Sequence, residues 1–301
     1  MKWSFLLGWI VCCCWACSHK NAAEYQVFHV NPEAESKECF DHFYHLKEVI
    51  PLETTDSSVM GDIMKVISAK GRIFVAPWNG KSIFIFDRSG KYLSRIDKEG
   101  RGPGEYLQIS DFMVTQEPEE IVVYAREGKL NFYDWDGNFL RDTKQDAFVG
   151  GIERLPDGSC VLNYALTLNS LFRDTAFMVR VTDPDGKCVK GFFPLPKIRV
   201  VLPVKMVTSL YQSGGRCYIV PITENTIYEY VPENMEFMPR YEFNVKGVFL
   251  PEVEKLTFED FKRNFIFDYY IFSSEYREED GFNYGFLWQK RRNDLFCGKG
   301  R

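Results

Sequence analysis

Apolar residues along this chain come in short runs with strand periodicity, each cut off by Gly, Pro, Asn or Asp. The stretch 83–106 displays the unit best. Two apolar strands, one from Ile83 and one from Tyr92, are joined by a turn from Asp87 to Gly90, and a loop with Gly100, Gly102 and Gly104 follows, ending at Tyr106. The turn recurs at nearly equal intervals, as Asp87 and Gly90, Asp134 and Gly137, then Asp183 and Gly186. One interval further, after a strand at 226–231, the glycine is lost and Met235 stands in its place. An Asp at such a turn can accept hydrogen bonds from the backbone ahead of it, and Gly supplies the positive φ of a hairpin. A single D-x-x-G carries no weight; three in phase define a repeat.

Between the turns each unit offers about four strands. The second has 109–115, 121–125, 129–135 and 139–143; the third has 151–155, 159–164, 176–182 and 188–193. Four antiparallel strands in roughly 40–50 residues is the pattern of a propeller blade. The chain is therefore expected to be all-β, a β-propeller of four-stranded antiparallel blades. Those blades fall at about 63–96, 109–143, 149–193 and 206–244, with a partial one at 265–290, in a domain covering 41–301. One segment breaks the strand pattern: Thr257 opens a helix-like start, with Phe258, Phe261 and Phe265 on one stripe. A short helix is expected near 257–264, its aromatic stripe read as core packing.

The run Phe86, Asp87, Gly90, Lys91, Tyr92, Leu93, followed by Gly100, Gly102, Pro103, Gly104, Glu105 and Tyr106, resembles an NHL-type repeat. More closely, it is similar to the six-bladed β-propeller lipoproteins of gut-type Gram-negative bacteria, most of them without an assigned activity. The resemblance spans about 46–288, and the glycine-rich segment is its only sharp motif. It implies a six-bladed ring in which an N-terminal strand at 45–52 closes the last blade as a clasp. The count falls short of six, and the cationic end 294–301 has no strand-turn logic. The chain is thus expected to be truncated, with its last blades incomplete.

Ahead of the blades, Lys2, an apolar segment at 3–15, and then Ala16 and Cys17 resemble a bacterial lipoprotein signal. Residues 1–16 are read as the signal peptide, Cys17 as the lipid attachment residue and 17–40 as a tether. Cys14 and Trp15 stand where the usual lipobox has Leu and a small residue, and the alternatives are an ordinary secretory signal or an uncleaved anchor. Residues 18–23 lack the acidic cluster of surface-exported lipoproteins, which points to the outer membrane with the domain facing the periplasm.

Composition adds bounds. In 301 residues, 45% are hydrophobic and 16% aromatic, enough for a sizeable core. The net charge of -5 arises from interspersed charges of both signs, so no basic field for nucleic acid is present. Of nine cysteines, Cys39, Cys160, Cys188, Cys217 and Cys297 lie scattered singly beyond the signal, with no disulfide framework. Cys160 and Cys217 occupy equivalent places on neighbouring blades, too far apart to bridge.

All four histidines, His19, His29, His42 and His45, precede the blades. A Ser-His-Asp triad, a His-ligated metal or a His base is then hard to build in the propeller body. Cys39, His42 and His45 have half-site spacing, but a fourth ligand is missing. A lactonase-like calcium site needs only oxygen ligands, and Asp111 on the inner strand of the second blade is its best single candidate. The glycines at 100, 102 and 104 are no dinucleotide fingerprint, because no βαβ unit surrounds them. In a propeller the loop leaving a blade's outer strand shares a face with the loop joining its two middle strands. That places Trp78, Arg101, Glu105, Tyr106 and Arg126 on one rim, the residue types that anchor protein or glycan partners. The competing reading is that Glu105 and Tyr106 only fasten successive blades and Trp78 packs locally. The leading expectation is an envelope-anchored lipoprotein propeller that binds or scaffolds a protein or glycan, with no catalysis and no cofactor. The alternative is an NHL or lactonase-like hydrolase with a divalent cation in the central channel.

Overall fold

The computed structural model describes residues 25–30, 46–145, 149–155, 157–163, 177–194, 209–213, 215–221, 224, 226–245, 271–272, 277–279, 282–289 and 292–299. A first strand, β1 (Gln26–Val30), precedes four blades, each an antiparallel meander. Blade one is β2 (Ile63–Ala69), β3 (Arg72–Pro77), β4 (Ile83–Asp87) and β5 (Tyr92–Ile96). Blade two is β6 (Ile109–Gln116), β7 (Glu119–Ala125), β8 (Lys129–Asp134) and β9 (Phe139–Lys144). Blade three is β10 (Gly151–Arg154), β11 (Cys160–Asn163), β12 (Phe177–Thr182) and β13 (Cys188–Pro194). Blade four is β14 (Ser209–Ser213), β15 (Arg216–Val220), β16 (Thr226–Val231) and β17 (Glu236–Val245). A further sheet holds β18 (Ile271–Phe272) and β19 (Arg277–Glu279), both paired with β20 (Phe282–Gln289), which in turn pairs with β21 (Arg292–Lys299). The inner strands are neighbours in sequence order: β6 lies beside β2 and β10, β10 beside β14, and β14 beside β19. This is an all-β propeller of four-stranded antiparallel blades, and no helix occurs among the described residues.

The repeated turn has one geometry. Gly90, Gly137 and Gly186 have φ of 86°, 87° and 88°. In each turn one Asp carboxylate oxygen accepts two backbone N–H groups: Asp87 from Ser89 and Lys91, Asp134 from Asp136 and Asn138, Asp183 from Asp185 and Lys187. In the fourth blade Met235 itself takes the left-handed conformation, with φ 49°.

The core lies between blades. One layer joins Phe74, Ile83 and Ile85 of blade one to Phe112, Ile121 and Tyr133 of blade two. A second joins Val122, Tyr124 and Phe132 to Ile152, Cys160 and Leu162, and a third joins Val161, Val179 and Val181 to Cys217, Ile219 and Tyr230. The middle strands of a blade, such as β4, β7, β8 and β11, are buried on both faces, which is why runs such as Ile83 to Phe86 are continuously apolar, whereas the outer strands β5 and β9 keep exposed positions.

Three sequence expectations are corrected. The clasp strand expected at 45–52 is not seen, as its described residues 46–52 form no ladder. Pro51 cannot donate to one, and the segment instead lies on blade one, where Leu52 packs on Val75, Phe84 and Phe86 and the Glu53 N–H donates to the Gly90 carbonyl at 2.8 Å. The strand that joins another blade is β1, inside the stretch read as a tether; it pairs in parallel with β17, from Gln26 opposite Tyr241 to Val30 opposite Val245. The end of the chain is not patternless either, because β21 pairs with β20 from Arg292 opposite Gln289 to Lys299 opposite Phe282. The helix expected at 257–264, the signal peptide, Cys17, Cys39, His42 and His45 lie outside the described residues.

Candidate functional site

Three connections converge at one end of blades one and two: the β3–β4 turn, the glycine-rich loop from β5 to β6, and the β7–β8 turn. Gly80 and Gly128 close the two turns with φ of 62° and 83°. The Ile109 N–H donates to the Gly80 carbonyl at 2.6 Å, and the Arg126 N–H to the Gln108 carbonyl at 2.8 Å. The Arg126 guanidinium also donates to the Gln108 amide oxygen at 2.8 Å. Trp78, Arg101 and Arg126 are thus carried on one rim, and all three side chains are exposed, Trp78 at 55%.

The glycine-rich loop is tied on both sides. Within it, the Tyr106 N–H donates to the Lys98 carbonyl, the Gly100 N–H to the Tyr106 carbonyl, and the Gly102 N–H to the Glu105 carboxylate at 2.8 Å. A Cβ at position 100 would collide with that carboxylate. Across to blade two, the loop's carbonyls accept from β8: Gly102 from Lys129, Gly104 from the Tyr133 hydroxyl at 2.7 Å, and Glu105 from Asn131. Back to blade one, the fully buried Tyr106 hydroxyl donates to the carbonyls of Lys81 and Ile96. Burial pushes both tyrosine hydroxyls well above their usual range, so they stay neutral donors. Glu105 and Tyr106 therefore fasten two blades, and Arg101 alone of the loop's three candidates projects its side chain to water.

Charge on this rim is uneven. Lys81 pairs with Glu99 at 3.0 Å and Arg95 with Asp97 at 3.1 Å, while Glu127 accepts the Leu107 N–H. Lys98 and Arg101, both exposed, have no carboxylate partner among the described residues. Leu107, exposed at 40%, adds apolar surface beside them.

A second cluster lies on the inner strands. The Lys65 ammonium of β2 donates to Asp111 of β6 at 3.0 Å, and the other Asp111 oxygen accepts the Ile152 N–H of β10 at 2.8 Å. The first oxygen also takes the Phe112 N–H. Asp111 thus spends its acceptors on three successive blades. Half-buried Glu153, one residue beyond Ile152, faces the same pair; burial pushes its carboxyl up, Lys65 pulls it part of the way back, and the Asp111 charge adds to the rise. For Lys65, burial lowers the ammonium, but the charges of Asp111 and Glu153 outweigh it and the net shift is upward. Among the described residues, no group of three or more His, Cys, Asp or Glu side chains could hold a metal ion.

Lys65 and Glu153 were not singled out by sequence reasoning, although a charged residue within an apolar inner strand, in step with Asp111, was a usable signal. Trp135 was likewise hidden inside its Asp134–Gly137 turn. It is buried against Phe74, its indole N–H donating to the Thr115 carbonyl at 3.1 Å. Cys160, Cys188 and Cys217 are free thiols, the first and last buried.

The family profile that matches the chain, over residues 26–298, is described as "Domain of unknown function (DUF4934)". No curated protein matches the chain. Among solved structures, a protein of Bacteroides fragilis described as exported is 17% identical with a TM-score of 0.72, the alignment covering 91% of this chain and 77% of that one. A member of the DUF4221 family from Bacteroides vulgatus is 12% identical with a TM-score of 0.52, covering 80% of this chain and 74% of that one. At these identities the likeness is one of fold.

Proposed function

For this chain, which belongs to the DUF4934 family of unknown function, we propose an envelope-anchored propeller that binds or scaffolds a protein or glycan through the rim of Trp78, Arg101 and Arg126. The observation that carries the reading is the contrast within that rim. Its backbone is bonded in place on both sides, and on that support the Trp78 and Arg101 side chains stand exposed. An exposed indole and a guanidinium on a rigid support are ready to contact a partner with little ordering cost. The envelope location is supported by the Lys2-to-Cys17 signal pattern and by the fold likeness to a protein described as exported. The ring belongs to the same proposal as a six-bladed, NHL-like one: a further sheet with β19 beside β14 continues the blade order past the fourth.

The test is capture from native envelope by the intact protein and by a Trp78/Arg101/Arg126 triple alanine variant. The variant is expected to lose the captured partner while melting at an unchanged temperature, because exposed substitutions usually shift stability by only about 0.5 kcal/mol. Equal capture by both proteins removes the rim from the reading.

A further inference from the structure

β1 adds a fifth strand to blade four and forms the outer edge of that sheet. It is held by more than its ladder: the Phe28 ring stacks on the fully buried Phe243 at 5.3 Å and lies 5.7 Å from Tyr241. Just ahead of the strand, the neighbouring Glu242 carboxylate holds the Tyr25 hydroxyl above its usual range. Alternation then turns Tyr25, Val27 and His29 to the opposite side, where Tyr25 is 40% and Val27 44% exposed.

Ser18 to Glu24 alone separates Cys17 from Tyr25. Fully extended, that connection reaches about 25–30 Å. On the reading that Cys17 carries the lipid, the edge of blade four cannot leave the neighbourhood of the bilayer unless β1 peels from β17. A tyrosine beside an aliphatic residue suits the headgroup level, where an apolar ring with a polar tip is favoured.

We propose that β1 is a membrane-facing strap: it holds the edge of blade four against the lipid surface, with Tyr25 and Val27 seated at the headgroups. The rim of Trp78 and Arg101, on blade one and its connection to blade two, stays open to a partner. This inference rests on the anchored reading above.

The experiment reconstitutes the full-length protein, purified from a lipoprotein-processing host, into phosphatidylethanolamine and phosphatidylglycerol vesicles that contain a headgroup-diazirine phosphatidylethanolamine. Photolysis and peptide mass spectrometry then locate the lipid adducts. Adducts are expected to concentrate on 25–30 and 236–245, and to fall severalfold on 25–30 in a Tyr25→Ser/Val27→Ser variant. A long Gly/Ser insertion after Ser18 should scatter them. The N-terminal peptide is weighed in the same digests. An acyl mass on Cys17 with adducts spread evenly over the blades overturns the strap and leaves the anchor. A peptide without that mass overturns both.

Discussion

Gly104 meets two demands at once: a φ of 68° and a Phe139 ring that would lie 2.5 Å from an added Cβ. Gly104→Ala is expected to cost about 1–3 kcal/mol, since a left-handed residue and a displaced ring must both be accommodated. Gly61, which has open space around it and no positive φ, is the control; Gly61→Ala should move the denaturation midpoint hardly at all. Asp111 is the second sensitive residue. Asp111→Ala leaves the Lys65 ammonium, only 27% exposed, without its partner and the buried Ile152 N–H without an acceptor. The expected loss is about 2–4 kcal/mol. Adding Lys65→Met should recover part of it, and a double-mutant cycle in denaturant measures how much.

At the scale of elements, the glycine-rich loop acts as a fastening between blades one and two, and Tyr133 tests it. Tyr133→Phe keeps the ring but strands the buried Gly104 carbonyl, so a loss of about 1–2 kcal/mol is expected in thermal melts. The Trp78/Arg101/Arg126 variant, by contrast, should melt like the parent. The blade meander and its Asp/Gly turns were legible in the sequence because their chemistry is local: an acceptor and a permissive φ within five residues. The roles of Glu105 and Tyr106 were only half legible. Their residue types were visible, but their partners at Lys81, Ile96 and Asn131 are set by tertiary contact. β1 was illegible for a related reason. Five residues of weak alternation are no stronger than chance, and their identity as a strand comes from a parallel partner more than two hundred positions away. The family resemblance placed the clasp at 45–52 instead, although Pro51 argued against a central ladder there.

For the whole molecule, the inner-strand charges link stability to pH across three blades. Glu153 is raised above its ordinary 4.5 by burial, so the folded state holds its proton more tightly than the unfolded chain does. Between that ordinary value and the raised one, the folded state binds more protons, and stability must fall as pH rises through the window. The groups facing Glu153 are Lys65 and Asp111 on neighbouring inner strands and Arg154 beside it in the chain. The Lys65 ammonium, itself shifted upward, remains charged throughout and limits the penalty. Asp87 acts in the opposite sense and elsewhere: the Ser89 hydroxyl and its backbone donors lower its carboxyl below 3.8, and that stabilisation disappears as pH falls through the lowered value. The two windows do not overlap, so they separate in a melt series from acid to neutral. Glu153→Gln should abolish the fall above about pH 4.5 and raise the neutral melting temperature, leaving the acid limb unchanged. Asp87→Asn should lower the neutral melting temperature and flatten the acid limb, leaving the fall above about pH 4.5 in place. If Glu153→Gln instead lowers neutral stability, the carboxylate is bonded in its charged form, and the inner-strand cluster is a closed ion network in which Glu153 pairs with Lys65 as Asp111 does.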